Sequence, residues 1–440
     1  MTLTFPDGFL WGVATAAHQV EGDNRNSDWW AWEHRPGTPV AEPSGTAIEH
    51  HARFADDIAL LAGLGHRAYR FSVEWARVEP VEERFDDGAL RHYRAVTEAV
   101  RGAGMTPVVT LNHFTLPAWL ALRGGWTSPD APSLFARYCT RVVTALGDLV
   151  DWYCTINEPG AVALGYVGAL GFPPGTRDLA SWQAAIGGLR QGHARGLAAV
   201  KEARPEARAG ATHALTAYEA NPGGRPIMAY LRHQMEDTFL EVCGDDDFLG
   251  VQTYTRAVVD VARPLASLTR ALVGFGPLRR LVMPALIRRG TALGDREPDG
   301  VRRTDMGYEY RPQAVAATVR RVAGMLPGKD IVVTEHGIAT TDDRERVAFI
   351  TDGLTALHAA IADGVAVRGY LHWSAFDNFE WALGYRMRFG VVAVDRATQQ
   401  RQVKPSGRFL GEIARTNALS VAAPVRPGRA RAVRPGVEPT

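Results

Sequence analysis

Short apolar runs alternate with longer helical stretches along most of this chain, and this alternation limits the fold more than any other feature. Such a pattern is typical of a parallel sheet covered by helices, because parallel strands need long crossover connections. The predicted strands are Leu10–Ala16, Ala68–Ser72, Thr106–Asn112, Trp152–Asn157, Arg208–His213, Phe248–Thr253, Ile331–Glu335 and Val367–Trp373. The predicted helices are His50–Leu64, Ala89–Arg101, Ser133–Leu146, Trp182–Ala203, Pro226–Val242, Pro312–Met325, Val347–Ala362 and Ser406–Thr416.

Eight strand and helix units predict an α/β protein built as a single (β/α)8 TIM barrel. In that fold the active site lies at the carboxyl ends of the strands. Polar and aromatic residues at those ends are therefore the candidates for function. They are Arg70, His113, Glu158, Tyr254, Glu335 and Trp373.

Two segments fall outside the repeat. The chain has 440 residues, of which 46% are hydrophobic, so it can bury one large core, and we assign residues 1–420 to a single domain. Residues 257–305 form an insertion after the sixth strand. Residues 421–440 carry four prolines and four arginines with almost no large apolar side chain, so we predict a disordered tail.

Charge and cysteine content bear on the class of partner. Lysine plus arginine (49) nearly equals aspartate plus glutamate (48), which gives no electrostatic basis for binding nucleic acid. A small or neutral substrate fits better. Cys139, Cys154 and Cys243 have no metal-ligand spacing, and their odd number argues against a disulfide scaffold. We expect reduced, buried cysteines and neither metal nor cofactor.

The first residues bear on location. Residues 1–9 lack a basic region followed by an apolar run, so no secretory signal peptide is visible. We therefore expect a cytoplasmic protein without an integral membrane segment. The oligomeric state stays open at this point.

Two glutamates far apart in the chain have nearly the same local setting. Glu158 and Glu335 each end a short apolar run at a turn residue. A pair of acids at the ends of two buried strands is what glycosidic bond cleavage needs, because one must donate a proton while the other attacks or activates water. A salt bridge at a strand end would explain either glutamate alone, but it explains their joint occurrence poorly.

Five ordered motifs strengthen this interpretation. They are Phe9–Gly22, Tyr69–Trp75, Thr155–Pro159, Val333–Gly337 and His372–Trp381. With these motifs the chain resembles glycoside hydrolase family 1 over roughly residues 5–417. Each motif alone is a weak indication, but a chance match of so many in family order is not expected.

The resemblance implies a retaining β-glycosidase whose two glutamates have distinct roles. Glu335 matches the nucleophile, and Glu158 matches the residue that protonates the leaving oxygen and later deprotonates water. In retaining enzymes the two carboxyl groups lie about 5–5.5 Å apart, and the charge of one keeps the other protonated. We expect Arg70 and Tyr254 to hold Glu335 ionised. Asn157 matches the family residue that binds the sugar 2-hydroxyl.

A pyranose presents hydroxyls at its rim and C–H groups on its faces, so its recognition needs polar groups beside aromatic rings. The positions that match the family's sugar-binding residues are Gln19, His113, Asn157, Trp373, Glu380, Trp381 and Phe389. Relatives that cleave 6-phosphorylated glycosides carry serine in place of Glu380, and an anionic Glu380 would repel phosphate. We therefore expect an unphosphorylated β-D-glucoside as substrate, with galactosides and fucosides as further candidates.

Four residues depart from the family pattern. Phe114 stands where tryptophan is usual, Thr115 where aspartate is usual, and Gln252 and His336 where asparagine is usual. We expect these changes to leave the chemistry intact but to alter hydroxyl contacts or the fit of the aglycone. For His336, a neutral hydrogen-bonding role is the simpler expectation.

Two other functions stay open. A transglycosidase would transfer the sugar to an apolar alcohol through the same intermediate, and a non-catalytic sugar-binding protein would lack one of the acids. Val261–Gly290, with six arginines and no acidic residue, bears on the first of these. Three interpretations of this segment stay open. It is a helical segment packed on the barrel, a lid that forms an apolar wall for the leaving group, or a basic amphipathic surface that binds anionic membranes.

Overall fold

A closed parallel barrel forms the centre of the molecule. The computed structural model describes residues 1–259 and 300–421. Consecutive barrel strands lie side by side, and the eighth pairs with the first. The predicted (β/α)8 TIM barrel is confirmed. The barrel strands are β1 (Leu10–Ala14), β2 (Ala68–Ser72), β3 (Thr106–Asn112), β4 (Trp152–Asn157), β5 (Arg208–Ala214), β6 (Phe248–Gln252), β7 (Asp330–His336) and β8 (Val367–Trp373).

The eight predicted helices are present in the described part of the chain. They are α1 (His50–Leu64), α2 (Asp87–Gly102), α3 (Ala131–Leu146), α4 (Leu179–Ala203), α5 (Arg225–Arg232), α6 (Ala314–Met325), α7 (Asp343–Ala362) and α8 (Pro405–Thr416). The fifth differs most from its prediction, because after α5 the chain passes through a π-helical turn, His233–Asp237, into a last short turn, Thr238–Leu240. The first strand is shorter than predicted, because Ala17–Val20 forms a short helix.

Short helices, 3-10 turns and two-stranded sheets lie outside the eight strands of the barrel. The other short helices are Asp28–His34, Trp75–Val78, Ala118–Leu122 and Pro159–Gly165, and the 3-10 turns are Gly125–Thr127, Gly147–Leu149, Pro222–Gly224 and Trp381–Leu383. The additional strand pairs are Thr2–Thr4 with Ala418–Ser420, Ala217–Ala220 with Arg256–Val259, and Val392–Val394 with Arg401–Val403. The first of these pairs brings the two ends of the folded domain together.

Local sequence explains why the outer helices form where they do, as α2 shows. Its buried residues are Leu90, Tyr93, Val96, Thr97 and Val100. This spacing places them on one face of the helix, which packs inward. At the start of this helix, the Asp86 side chain accepts hydrogen bonds from the backbone N–H groups of Gly88 (2.7 Å) and Ala89 (3.0 Å). Asp86 thus satisfies amides that lack a partner within the helix.

Apolar side chains fill the interior of the barrel below the strand ends. The buried cluster includes Ala68, Val108, Cys154, Phe248, Val332 and Leu371, from six different strands. The barrel is therefore a packed core and not a pore. These side chains form a floor beneath the polar residues at the carboxyl ends of the strands.

Two strands have irregular pairing immediately before polar site residues. In β7 the register with β6 shifts between Val333 and Glu335, and in β4 the register with β5 shifts between Cys154 and Asn157. A shift of one residue turns the side chains that follow to the opposite face of a strand. Val332 faces the barrel interior, so regular alternation would point Glu335 outward. The irregularity in β7 brings Glu335 inward instead.

Parts of the predicted insertion and tail lie outside the described residues. Of 257–305 the structure describes 257–259 and 300–305, so the three interpretations of Val261–Gly290 stay predictions. Val421, the first residue of the predicted tail, exchanges hydrogen bonds of 2.8 and 2.9 Å with Met1, and residues 422–440 are not described.

Two further observations concern the expected class of protein. Among residues 1–259 and 300–421, no helix has the length and apolar character needed to cross a bilayer. Cys139, Cys154 and Cys243 are all buried and unpaired, as the sequence predicted.

Candidate active site

A cavity of about 1190 Å³, measured out to its open mouth, lies at the carboxyl ends of the barrel strands. Ten of the eleven predicted site residues line it. These ten are Gln19, His113, Asn157, Glu158, Tyr254, Glu335, Trp373, Glu380, Trp381 and Phe389. The eleventh, Arg70, is fully buried and contacts the cavity residues from behind. The structure therefore brings the whole predicted set together.

Glu335 lies among hydrogen-bond donors. Its Oε1 accepts from Arg70 Nη1 at 2.6 Å and from Gln252 Nε2 at 2.7 Å, and its Oε2 accepts from the Tyr254 hydroxyl. Burial raises the pKa of Tyr254 well above its ordinary value, so the phenol keeps the proton that it donates. Arg70 is a permanent cation. This environment suits an ionised carboxylate.

Glu158 lies at a tight turn at the end of β4. Its backbone has a φ of 47°, in the left-handed region that residues with side chains rarely adopt. Its N–H donates to the Thr212 carbonyl at 2.8 Å, and Pro159 begins the helix that follows. This turn directs the Glu158 carboxyl into the cavity, where it makes no hydrogen bond with residues 1–259 or 300–421.

The two carboxyl groups differ in their affinity for a proton. Burial raises the pKa of Glu158 well above its ordinary value, and the negative charge of Glu335 raises it further, whereas the Arg70 charge lowers it. Burial also raises the pKa of Glu335, but there the Arg70 charge and the Tyr254 hydrogen bond oppose the shift. When the pair carries one proton, it is therefore favoured on Glu158.

Asn157, which precedes Glu158, forms hydrogen bonds with side chains at the ends of other barrel strands. Its Oδ1 accepts from Arg70 Nη2 at 2.5 Å, from Thr212 Oγ1 at 2.8 Å and from Gln252 Nε2 at 2.8 Å. Its Nδ2 must therefore be the atom that lies 3.2 Å from His113 Nε2. Burial and the nearby Arg70 charge hold the pKa of His113 well below its ordinary value, so the ring is neutral and its Nε2 can accept.

Gln19 and Glu380 form a second polar group in the cavity. Gln19 Nε2 donates to the Phe379 carbonyl at 2.6 Å and lies 3.5 Å from Glu380 Oε2. Gln19 Oε1 is buried and has no hydrogen-bond partner in the part of the chain that the structure describes. Burial and the Glu335 charge raise the pKa of Glu380 to about 8. The sequence suggested an anionic Glu380, but burial makes the acid largely protonated at neutral pH.

Aromatic rings enclose the polar groups. His113 lies nearly parallel to Trp373 and to Trp381, with ring centroids 5.9 and 6.1 Å apart. Phe389 packs against Tyr254 edge to face, at 6.0 Å. The cavity thus combines hydroxyl-binding groups with ring surfaces, as binding of a pyranose requires.

Comparisons with known proteins agree with this geometry. The family model for glycosyl hydrolase family 1 matches residues 1–225 and 231–419. The chain belongs to glycosyl hydrolase family 1. It is therefore an enzyme that hydrolyses glycosidic bonds, and the resemblance noted in the sequence is confirmed.

Individual relatives match over nearly their whole length. The thermostable β-glucosidase B of Thermobispora bispora is 34% identical, with 95% of this chain and 92% of the relative covered. A bifunctional β-D-glucosidase/β-D-fucosidase of Bifidobacterium breve is 30% identical, with 92% and 97% covered. A β-glycosidase of known crystal structure is 42% identical in sequence. Its structure matches with a TM-score of 0.80, and the match covers 96% of this chain and 100% of the β-glycosidase chain.

The departures from the family 1 pattern have clear places in the structure. Phe114 packs against Trp381 at 4.9 Å and lines the cavity. Thr115 Oγ1 donates to the Glu74 carboxylate at 2.8 Å. His336 faces away from the cavity, because its ring bonds to the Tyr370 hydroxyl (3.0 Å) and to a backbone carbonyl (3.2 Å). Burial lowers the pKa of His336 to about 4, so this ring is neutral.

Sequence reasoning missed the apolar part of the cavity. It is lined by Leu170, Phe172, Met306, Tyr308 and Leu383, among others. These residues lie on loops that follow strands, on the face where family 1 enzymes and other TIM barrels carry their active sites. Large apolar residues in such loops were the available signal, because loops are otherwise mostly polar.

A cluster outside the cavity has metal-ligand character. Single ligand atoms of His193, Cys243 and Asp246 lie within 4.8 Å of one another. Hydrogen bonds already account for its polar atoms, since His193 contacts Asp246 Oδ1 at 2.9 Å and Thr155 Oγ1 at 2.8 Å. We interpret this cluster as a buried polar link between β4, α4 and the segment before β6.

Proposed function

We propose that this family 1 enzyme is a retaining β-glycosidase that hydrolyses unphosphorylated β-D-glucosides, with galactosides and fucosides as further substrates. One observation carries the proposal. Two glutamates share a cavity, but within residues 1–259 and 300–421 only Glu335 is paired with an arginine and supplied with hydrogen-bond donors. This inequality is what double displacement needs, since one acid must act as an anion and the other as a proton donor.

In the first step the ionised Glu335 carboxylate attacks the anomeric carbon. The bond between that carbon and the glycosidic oxygen breaks, and the Glu158 proton passes to the departing oxygen. The products are the free aglycone alcohol and a glycosyl ester of Glu335. The ester no longer carries the negative charge that raised the pKa of Glu158.

In the second step water replaces the ester. Glu158, now deprotonated, takes a proton from water while the water oxygen attacks the anomeric carbon. The ester bond breaks, and Glu335 leaves as a carboxylate held by Arg70 and Tyr254. Two inversions at one carbon give net retention, and both glutamates return to their starting states.

Polar atoms around the cavity support a glycone with free hydroxyls. Gln19 Oε1 and His113 Nδ1 are buried without a hydrogen-bond partner among the described residues, and both residues line the cavity. Sugar hydroxyls would supply the missing partners. Glu380, with a pKa of about 8, can either donate to or accept from a hydroxyl.

The charge of the cavity supports an unphosphorylated substrate. The charged or acidic side chains among its described lining residues are Glu158, Glu335 and Glu380. Tyr385, in the loop after Glu380, donates to the Ser44 carbonyl at 2.5 Å and stacks with Arg396. A phosphate dianion would be repelled by the ionised Glu335 carboxylate, and no lysine or arginine is among the described residues that line the cavity.

A panel of 4-nitrophenyl β-glycosides tests the proposal. We expect the highest kcat/KM with the β-D-glucoside, lower values with the galactoside and fucoside, and no turnover of the α-D-glucoside control. Proton NMR during early turnover should show the β anomer of the free sugar before the α anomer. Initial release of the α anomer would contradict retention, and preference for a 6-phosphoglucoside would contradict the assigned glycone.

Transfer to an alcohol is the second candidate, and the apolar part of the cavity favours it. Phe172, Met306 and Leu383 provide a surface where an apolar alcohol can be held in place of water. Product analysis with added hexanol separates the two reactions. Alkyl glycoside as the main product would identify a transglycosidase, whereas free sugar as the main product supports hydrolysis.

A further inference from the structure

Gln252 makes two contacts that the sequence did not indicate. Its side chain extends from the end of β6, is fully buried and lines the cavity. Its Nε2 lies 2.7 Å from Glu335 Oε1 and 2.8 Å from Asn157 Oδ1. Both of these oxygens are acceptors, so the amide nitrogen of Gln252 must face them. One NH2 group therefore joins the carboxylate of β7 to the amide of β4.

Arg70 contacts the same two oxygens from β2. Its Nη1 donates to Glu335 Oε1 at 2.6 Å, and its Nη2 donates to Asn157 Oδ1 at 2.5 Å. Two donors and two acceptors thus form a closed ring of hydrogen bonds. Arg70 contributes the positive charge, and Gln252 contributes a neutral donor from the opposite side. Each acceptor is held in two directions, so neither can rotate without losing a bond.

The other end of the Gln252 amide indicates that the position is selected for its NH2 group. Gln252 Oε1 is buried and has no hydrogen-bond partner among the residues that the structure describes. An unpaired buried oxygen costs free energy. A purely structural residue in this place would more simply be apolar.

We propose that Gln252 is a positioning residue for catalysis, which fixes the Glu335 carboxylate and the Asn157 amide in one mutual orientation. The inference rests on the proposed function of these two residues. Gln252 acts through them, because its donor stabilises the ionised form of Glu335 and keeps Asn157 Nδ2 turned toward His113 Nε2. The expected signature is a change in kcat and in the pH profile, with little change in KM.

Gln252→Leu removes both hydrogen bonds at similar volume. Loss of a hydrogen bond to a charged group predicts a fall in kcat of about 10- to 100-fold. Loss of a donor to ionised Glu335 raises its pKa, so the acid limb of the kcat/KM profile moves to higher pH. The titratable or charged groups that face Glu335 are Arg70, Cys154, Glu158, Tyr254 and Glu380. They are unchanged in this variant.

Thr253→Val is the matched control. Thr253 follows Gln252, is equally buried, and its hydroxyl bonds to Thr318 Oγ1 at 2.7 Å, away from the cavity. Loss of this hydroxyl should lower the melting temperature of the enzyme without moving the pH profile of kcat/KM. If the leucine variant fails to fold, Gln252→Met decides the question, because the thioether has a similar length but no hydrogen-bond donor and should give the same fall in kcat and the same shift.

Profiles of kcat/KM against pH with 4-nitrophenyl β-D-glucoside decide the outcome. A folded Gln252→Leu or Gln252→Met enzyme with the wild-type kcat and the wild-type acid limb would overturn the role of Gln252 and leave the proposed function intact. A wild-type enzyme that cleaves no β-glycoside of the panel would overturn both. A lower kcat with a limb moved to higher pH, absent in the Thr253 control, supports the inference.

Discussion

Glu335 and Glu158 are the same residue type at the ends of two strands of one barrel, yet their surroundings differ. Glu335 is held by Arg70, Gln252 and Tyr254. Glu158 itself has a left-handed backbone conformation and makes no side-chain hydrogen bond with the described residues. Glu335 is buried and Glu158 is half-buried, and desolvation raises both pKa values. The difference shows that neighbouring donors and charges, and not the residue type, separate an anion from an acid.

Removal of Glu335 should have the largest effect. Glu335→Gln keeps the shape of the side chain but takes away the nucleophile, so kcat should fall by about 10⁴-fold or more on every substrate. Steady-state assays on activated and unactivated glucosides measure this fall. The circular dichroism spectrum should stay that of the wild type. A folded variant with more than about 1% of the wild-type kcat would contradict the role of Glu335.

The loss of activity on removal of Glu158 should depend on the leaving group of the substrate. With Glu158→Gln we expect the first step to survive for 2,4-dinitrophenyl glucoside, because its leaving group needs little protonation. For an alkyl glucoside, kcat/KM should fall by about 10²- to 10⁴-fold. Pre-steady-state bursts with the activated substrate report the first step. Equal losses on both substrates would make the two glutamates equivalent and refute the assigned asymmetry.

Tyr254→Phe should have a smaller effect that is visible in the pH profile. The Tyr254 hydrogen bond opposes the raised pKa of Glu335, so its loss raises that pKa further. Activity needs ionised Glu335, and the acid limb of kcat/KM should therefore move to higher pH. At neutral pH we expect about a tenfold loss. The basic limb, which follows the proton of Glu158, should move little, and a shift of that limb alone would reverse the two assignments.

Substitution of His336 should have the smallest effect on catalysis, although this residue is next to Glu335 in the chain. Its ring bonds to Tyr370 and stacks on Phe349, away from the cavity. His336→Leu should therefore lower the free energy of unfolding by about 1–3 kcal/mol, because the buried Tyr370 hydroxyl loses a partner. Urea denaturation measures this change. A shift of the acid limb as large as that of Tyr254→Phe would show that His336 reaches Glu335 after all.

Much of the fold was readable from local pattern. The strand predictions for β2, β3 and β4 agree with the structure in both ends. The segment predicted as Pro226–Val242 differs, because the π-helical turn after Arg232 changes the helical repeat and its sequence carries no glycine or proline that marks it. The apolar wall with Phe172 was missed because it comes from loops, whose positions depend on packing and not on periodicity.

The sequence by itself determined the barrel and the two acids. Alternating apolar runs predict strands, eight units close a barrel, and Glu158 and Glu335 end two of those strands whatever their neighbours are. These features depend on residues close together in the chain. Local order alone therefore places the chemistry at one end of the barrel.

Only the tertiary structure decided which way those side chains point and which proton they hold. The register shifts that turn Glu335 and Asn157 inward arise from pairing between neighbouring strands. The bridge from Gln252 to both residues joins three strands that lie far apart in the sequence. A single chain read in order contains no distance between such residues, and pKa values depend on those distances. The two glutamates become unequal only when the barrel closes around them.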